Sequence, residues 1–301
     1  MTHPINRRQA LGQIGIGAAL LAGAATGVRA ETGATPMTIR SGRLRQSVCQ
    51  WCYKQIPLDD LCAAAAAMGL QSVELLPPQD FATVRRHGLI CAMVSNPTAP
   101  AGDVMVGGIT QAWNRPEHHD ALVPAYEAHL RATAEAGFPN LICFSGNRAG
   151  MSDALGLEHC AAGLRRILPL AEKLGVTVCM ELLNSKVNHK DYMCDHTAWG
   201  VALCEKLGSE RFKLLYDIYH MQIMEGDVIA TIRAHQGHFA HYHTGGVPGR
   251  AEIDGTQELN YPAIMRAIVE TGYAGYVAQE FVPKRPDALA SLRQGVQICD
   301  V

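Results

Sequence analysis

The sequence predicts an α/β protein built as a single (β/α)8 barrel, and two observations lead to that fold class. Short apolar runs alternate along nearly the whole chain with segments long enough for one helix and its loops. Four of these runs end in a residue able to bind a metal, at intervals of 36, 26 and 37 residues: Glu181, Asp217, His243 and Glu280. A closed barrel brings the carboxyl ends of its parallel strands together on one face, where active sites of this fold lie.

The first four predicted strands occupy the N-terminal half. Gly69 ends an Ala-rich helix, and Pro77 with Pro78 stops the second strand. A Gly- and Pro-rich segment, residues 96–116, is long for a loop and is expected to lie over the barrel mouth. The predicted strands are residues 44–52, 72–76, 89–94 and 140–144, and the helices between them are residues 58–68, a segment ending at residue 87, and residues 119–136.

The C-terminal half supplies the four strands that end in the candidate ligands. A helix precedes or follows each strand, which completes eight strands and eight helices in one domain. The predicted helices are residues 157–174, 194–207, 227–235, 261–271 and 286–298.

Residues 1–30 are predicted to be a twin-arginine-type export signal, which leaves residues 31–301 for the barrel. Arg7 and Arg8 precede a Gly- and Ala-rich apolar run, and small residues then allow cleavage before Glu31. The apolar run is short for a membrane anchor. A periplasmic location is therefore expected, and an uncleaved tail on a cytoplasmic protein is the alternative.

Composition limits the partners. The formal net charge is −2 and no basic patch appears, so neither nucleic acid nor, after signal cleavage, a membrane is expected as a partner. Most of the ten cysteines lie inside apolar runs and are expected to be buried, reduced thiols. The Cys49–Cys52 pair has no second CxxC to complete a zinc site, and it lies at a strand end rather than at the start of a helix.

Glu181, Asp217, His243 and Glu280 offer oxygen and nitrogen ligands suited to one divalent ion, Mn, Mg or Co, with Zn also compatible. A single acid after a strand is usually a helix cap, but four in register are hard to explain that way. Two glutamates beside such an ion suit a proton-transfer pair, one taking a proton and the other returning it. Aldose-ketose isomerisation or epimerisation follows, without an organic cofactor.

Two further residues are candidate substrate contacts. His220 lies three residues after Asp217, where it is close enough to donate to a substrate oxygen. Arg250 follows His243 in a Gly- and Pro-rich loop and offers a forked donor to a carboxylate or to sugar hydroxyls. The structural alternatives are that His220 caps a helix or packs in the core, and that Arg250 is solvated.

These motifs resemble the xylose-isomerase-like TIM-barrel superfamily, and within it the hydroxypyruvate isomerase family. The chain is also similar, more distantly, to the ketose 3-epimerases. The resemblance covers about residues 44–300, and it rests on Glu181, Asp217-x-x-His220, His243 with Arg250, and Glu280, together with residues 73–77, 87–89, 215–222, 260–262 and 275–281. It implies one metal held by Glu181, Asp217, His243 and Glu280. It also implies that Glu181 and Glu280 transfer the proton and that His220, Arg250 and Glu74 contact the substrate.

Several activities stay open at this point. The first is conversion of hydroxypyruvate to tartronate semialdehyde. Some hydroxypyruvate isomerases carry Gln where this chain has His243, and for that reason a ketose 3-epimerase or a sugar isomerase is also open. A keto-sugar dehydratase of the same fold is the alternative from another enzyme class. A multi-zinc nuclease needs more His and Asp ligands and a basic face, and a binding protein without chemistry is disfavoured because both glutamates are present. The substrate is expected to be a small hydroxy-keto acid or sugar, and the resemblance leaves a homo-oligomer open.

Overall fold

The computed structural model describes residues 39–301, so the predicted export signal lies outside the described residues. Seven strands form one parallel sheet in the order β2-β1-β9-β8-β7-β6-β5. Two further strands, β3 and β4, pair antiparallel with each other. The strands are β1 (Arg45–Cys49), β2 (Ser72–Glu74), β3 (Ala99–Ala101), β4 (Val104–Val106), β5 (Asn140–Cys143), β6 (Thr177–Glu181), β7 (Phe212–Asp217), β8 (Phe239–Thr244) and β9 (Tyr276–Gln279).

The predicted third strand, residues 89–94, closes the barrel between β2 and β5 through isolated bridges rather than a continuous ladder. Ile90 bridges to Ser72, and Val94 bridges to both Leu76 and Leu141. Between these points side chains replace ladder bonds: the Ala92 backbone N–H donates to the Ser72 hydroxyl at 2.9 Å, and the Asn140 amide donates to the Ala92 carbonyl at 2.8 Å. Residues 89–94 therefore take the place of a barrel strand between β2 and β5, although the middle of the segment is not part of a regular β-ladder.

Helices cover the outside of the sheet, as a (β/α)8 barrel requires. The predicted helix over residues 157–174 is two helices, because Pro169 stands in the first turn of the second one and has no N–H to continue the first. The helices are α1 (Leu58–Met68), α2 (Phe81–Arg86), α3 (His119–Glu135), α4 (Asp153–Leu164), α5 (Leu168–Leu174), α6 (Thr197–Leu207), α7 (Ile218–Met224), α8 (Val228–His235), α9 (Tyr261–Glu270) and α10 (Ala288–Cys299).

The segment over residues 96–116 carries the β3–β4 hairpin, which the sequence pattern did not predict. Its far end is anchored by Trp113, which is fully buried and packs against Tyr126 with ring centroids 5.0 Å apart. The Asn114 backbone N–H donates to the Ser145 carbonyl at 2.8 Å. These contacts fix the segment against the carboxyl end of β5, so it forms a wall of the barrel mouth.

All ten cysteines are free and buried, which confirms the expectation from their apolar surroundings. Burial raises the pKa of several of these thiols, including Cys143 and Cys160, so they stay protonated.

None of the helices within residues 39–301 combines the length and the apolar character needed to cross a bilayer.

Candidate active site

The four candidate ligands lie at the carboxyl ends of four strands that are consecutive in the sheet. Glu181 ends β6, Asp217 ends β7, His243 is the next-to-last residue of β8, and Glu280 directly follows β9. One ligand atom from each residue lies within 4.8 Å of the others, and all four side chains are buried. The structure thus brings together the set that the strand spacing predicted, which we call the ligand group.

The contacts inside the ligand group suit a shared cation. His243 Nδ1 lies 2.7 Å from Glu280 Oε2 and 3.3 Å from Glu181 Oε1. Yet among the described residues neither His243 Nδ1 nor Glu181 Oε1 has a hydrogen-bond partner of acceptable geometry. Buried polar atoms are normally paired. Three carboxylates and one imidazole that converge in this way fit a divalent ion of the Mn, Mg, Co or Zn type.

Arg250 lies against the ligand group and offsets part of its negative charge. Its Nη2 atom lies 3.0 Å from Asp217 Oδ2 and also contacts Glu280 Oε2. The guanidinium lies between two aromatic rings, 5.1 Å from the centre of Trp51 and 5.3 Å from that of Tyr219. Trp51 also donates its indole N–H to Glu280 Oε1 at 2.7 Å. Arg250 is therefore held in place at the site rather than solvated.

The pKa values of the three carboxylates in the ligand group are shifted in different directions. Burial, with the charges of Glu280 and Glu181, raises the pKa of Asp217 to about 8 despite Arg250. Burial likewise raises the pKa of Glu181. Burial opposes ionisation of Glu280 too, but Arg250 and His243 outweigh it and hold that pKa well below its usual range. A cation would offset the mutual repulsion of these buried carboxylates, because it favours the ionised form of each.

Glu74 lies behind His243 rather than on the wall of the cavity. Its Oε1 atom accepts from His243 Nε2 at 3.0 Å and from His241 Nε2 at 2.7 Å, and the side chain is fully buried. A carboxylate on one imidazole nitrogen places the proton there and leaves the other nitrogen free as a ligand. Glu74 therefore contacts His243 and is not among the residues that line the cavity, whereas the resemblance implies a contact with substrate.

His220 is fully buried beside Asp217. Its Nδ1 atom accepts from the Asn184 backbone N–H at 3.1 Å and lies 2.6 Å from the Asn184 side-chain amide. Burial holds the pKa of His220 well below its usual value, so the ring is neutral and carries its proton on Nε2. That Nε2 atom lies 3.6 Å from Asp217 Oδ2 and has no hydrogen-bond partner among the described residues. A donor is therefore available next to the ligand group.

A cavity of about 400 Å³ opens beside the ligand group, with Glu181, Glu280 and Arg250 on its wall. Pockets of this size accommodate small organic ligands. The arrangement combines a candidate cation site with two carboxylates and the Arg250 guanidinium on the cavity wall, while the His220 donor is buried beside Asp217 and is not among the lining residues.

Sequence reasoning did not single out Trp51 or His241, and it placed Asn184 only in a polar segment after Glu181 that could line the pocket. His241 had a local signal, because it lies two residues before His243 and so projects from the same face of the strand. Trp51 follows the carboxyl end of β1 and Asn184 follows that of β6, the positions where this fold places functional groups.

Comparison with known proteins is consistent with this geometry. The model of the xylose isomerase-like TIM barrel family matches residues 62–298. The chain is similar to a hydroxypyruvate isomerase of Escherichia coli, with 30% identity over 73% of this chain and 86% of the relative. It is also similar to a 2-oxo-tetronate isomerase of Cupriavidus necator, with 29% identity over 77% of this chain and 90% of the relative.

Solved structures agree on the fold. One is described as an AP endonuclease, family 2, from Brucella melitensis; it has a TM-score of 0.70 and 25% identity, and the match covers 83% of this chain and 97% of that one. Another is a 3-keto-D-glucoside 4-epimerase from Escherichia coli, with a TM-score of 0.67, 17% identity and coverage of 84% and 97%. At that identity the likeness concerns the fold alone. The predicted barrel and the predicted resemblance are both confirmed, and the chain belongs to the xylose isomerase-like TIM barrel family.

Proposed function

We propose that this chain is a divalent-metal-dependent isomerase of small hydroxy-carbonyl compounds. The observation that carries the proposal is the convergence of Glu181, Asp217, His243 and Glu280 within 4.8 Å of one another beside a cavity. The relatives named hydroxypyruvate isomerase and 2-oxo-tetronate isomerase support the reaction class. A divalent cation held by the ligand group supplies Lewis-acid stabilisation of the negative charge that develops on the substrate oxygens.

The protein's own groups then divide the proton transfer. Glu181 belongs to the ligand group and also lines the cavity, so one of its oxygens would hold the cation and the other would take a proton from the carbon between the two substrate oxygens. Glu280 lines the same cavity and is fixed by Trp51 and Arg250. In its protonated form it would give its own proton to the neighbouring substrate carbon, and exchange with solvent would then remove the proton from Glu181 and restore the one on Glu280. His220 Nε2–H and the Arg250 guanidinium bind and orient the substrate oxygens.

Exchange of the substrate proton with solvent tests the proposal. The chain from Glu31 onward is stripped of metal, supplied with Mn or Mg, and incubated in deuterated water with hydroxypyruvate and a panel of ketoses, with deuterium entry followed by NMR. We expect Glu280→Gln to lower exchange at least about 100-fold, because general acid-base groups contribute about that much or more. The control is Glu135→Gln, which removes an exposed carboxylate at the end of α3. Exchange that persists in Glu280→Gln or without metal contradicts the proposal.

A ketose 3-epimerase is the second candidate. It is favoured by His243 in the ligand group, and by a cavity that is large for a three-carbon acid. The products separate the candidates: an aldose or aldehyde indicates isomerisation, an inverted ketose indicates epimerisation, and a dehydrated product indicates a lyase.

A further inference from the structure

The ligand group accounts for only one side of the cavity. Around the barrel, the strands β6, β7, β8 and β9 carry the ligands and are consecutive. The remaining arc consists of β1, β2, the residues 89–94 segment and β5. The side chains that this arc sends into the cavity face the reacting groups from across the barrel mouth.

That opposite arc is mainly apolar. The polar side chains that it sends to the cavity are Ser95 and Asn96, and the Asn96 amide donates to the Gly107 carbonyl at 2.8 Å. Leu75 follows β2, while Ile142 and Phe144 lie at the end of β5, and all three line the cavity. Ile109, from the segment that carries the β3–β4 hairpin, and Leu183 extend the same surface. We call these five residues the apolar wall. A substrate portion placed against them is stabilised in proportion to the apolar surface that is removed from water.

Charged groups are confined to the other side. Of the residues that line the cavity, the acids and the arginine are Glu181, Glu280 and Arg250, all of which belong to or contact the ligand group. His189 also lines the cavity, and burial lowers its pKa, so its ring is neutral near pH 7. An anionic group against the apolar wall would therefore be desolvated without a cationic partner, which is costly.

The backbone of Leu75 supports a functional reason for the apolar wall. Its φ is 59°, a left-handed conformation that residues other than glycine seldom adopt. A backbone hydrogen bond of 2.8 Å from Leu75 N–H to the Met93 carbonyl holds it there. The conformation turns a Leu side chain, directly after the buried Glu74, onto the cavity.

We propose that the substrate extends beyond its reacting hydroxy-carbonyl unit by an uncharged, apolar portion that packs against the apolar wall. The preferred class is then a hydroxy-ketone of more than three carbons with a deoxy or alkyl far end, rather than one ending in a phosphate or carboxylate. This inference rests on the proposed function, because it names the substrate class of the same site.

The test compares three compounds that differ only at the far end: a 2-ketohexose, its 6-deoxy analogue and its 6-phosphate. Dissociation constants are measured by calorimetry on the Mn-loaded chain, and solvent-deuterium exchange is measured in parallel. We expect the 6-deoxy compound to bind roughly 2- to 30-fold more tightly than the parent, because the parent buries a hydroxyl that lacks a full set of partners. The 6-phosphate should bind more weakly than the parent.

Ile109→Asn provides the matched variant, since Ile109 is half-buried and its replacement places an amide on the apolar wall. We expect the preference for the 6-deoxy compound to shrink at least threefold. The control, Ile298→Asn, changes a half-buried isoleucine of α10 away from the cavity and should leave the preference unchanged. Equal binding of parent and 6-deoxy compound, or tighter binding of the 6-phosphate, would overturn the inference.

The two proposals fail separately. Absence of exchange on every compound, with metal bound, contradicts the isomerase proposal, whereas the order of the three dissociation constants still decides the nature of the far end. Exchange that depends on metal but is fastest on the 6-phosphate would support the isomerase proposal and contradict the proposal that an apolar portion of the substrate packs against the apolar wall.

Discussion

Asp217 uses its two carboxylate oxygens for different tasks. Oδ1 accepts the backbone N–H of His220 at 3.0 Å and so caps α7, while Oδ2 faces Arg250 at 3.0 Å. A helix cap and a candidate metal ligand are usually weighed as alternatives for an acid after a strand. Here one side chain occupies both positions, because α7 starts at the residue after β7 and leaves the second oxygen directed at the barrel mouth.

At the same scale, Glu74 is predicted to act through His243. Burial alone would raise the pKa of Glu74, but the charges and hydrogen bonds of His241 and His243 lower it to about 2, so it stays ionised. We expect Glu74→Gln to weaken Mn binding about 10- to 100-fold, the usual effect of removing a group that orients a metal-bound histidine. Saturating Mn should restore most of the turnover.

Calorimetric titration of the metal-free protein with Mn measures this effect, and Glu135→Gln again serves as the control. If Glu74 instead contacts the substrate, its variant will keep the wild-type Mn affinity and show a raised KM at saturating metal. That result would return Glu74 to the role implied by the family resemblance.

Among the elements, the packing of α4 on the Trp113 segment depends on a glycine. A Cβ added at Gly163 would lie 2.6 Å from His119 Nε2 and 2.7 Å from the Trp113 ring. Both rings are buried, and the His119 ring bonds the Trp113 carbonyl at 2.9 Å, so neither can move freely. We expect Gly163→Ala to lower the free energy of unfolding by about 1–3 kcal/mol through overpacking.

Urea unfolding followed by circular dichroism checks this expectation. Gly237→Ala is the control, because a Cβ there meets no atom within 4 Å, and its effect should stay within about 0.5 kcal/mol. Equal stability of Gly163→Ala and the wild type would show that the Trp113 segment yields more easily than its contacts indicate.

The end of the last helix makes a second element-level contact. Asp300 accepts the backbone N–H groups of Ser41 and Gly42 at 2.9 Å each, which joins the start of the described chain to its end. Burial raises the pKa of Asp300, but these backbone bonds outweigh it and the pKa lies below the ordinary value. The carboxylate therefore contributes stability above the unfolded-state pKa of about 3.9, and this is lost as pH falls through the folded-state pKa.

We expect Asp300→Asn to lower stability at pH 7 by about 1 kcal/mol, a modest value because solvent screens a partly exposed carboxylate. The difference from the wild type should shrink as the pH approaches 3. The difference is measured from urea midpoints at both pH values, and Asp103→Asn, a change at an exposed carboxylate, is the control. A difference that is the same at pH 3 and pH 7 would mean that the charge of Asp300 is not involved.

For the molecule as a whole, we propose export in the folded state through the twin-arginine pathway. The proposal rests on Arg7 and Arg8 with the small residues before Glu31, all outside the described residues. In a bacterial host with that pathway, the protein should appear in the periplasmic fraction with Glu31 as its first residue. Replacing Arg7 and Arg8 with Lys should leave it in the cytoplasm, whereas the control Arg29→Lys should not. An uncleaved chain in the cytoplasm of wild-type cells would favour the alternative location.

The sequence by itself determined the alternation of barrel strands and helices along the chain, and it placed each residue of the ligand group at or next to the carboxyl end of a strand. A repeated β/α unit has a local signature, so apolar runs and helix lengths place Glu181, Asp217, His243 and Glu280 on one face before any distance is known. The break between α4 and α5 at Pro169 is not among these predictions, because the helical pattern over residues 157–174 predicts one helix.

Only the tertiary structure decided what surrounds those ligands. Glu74 meets His241 across 167 residues of chain, and Trp51 meets Glu280 across 229. The residues 89–94 segment closes the barrel with side-chain bonds from Ser72 and Asn140, which are 20 and 48 residues from Ala92. Such pairs form because barrel closure brings distant strands together, and a local pattern of apolar and polar residues carries no record of which distant side chains will meet.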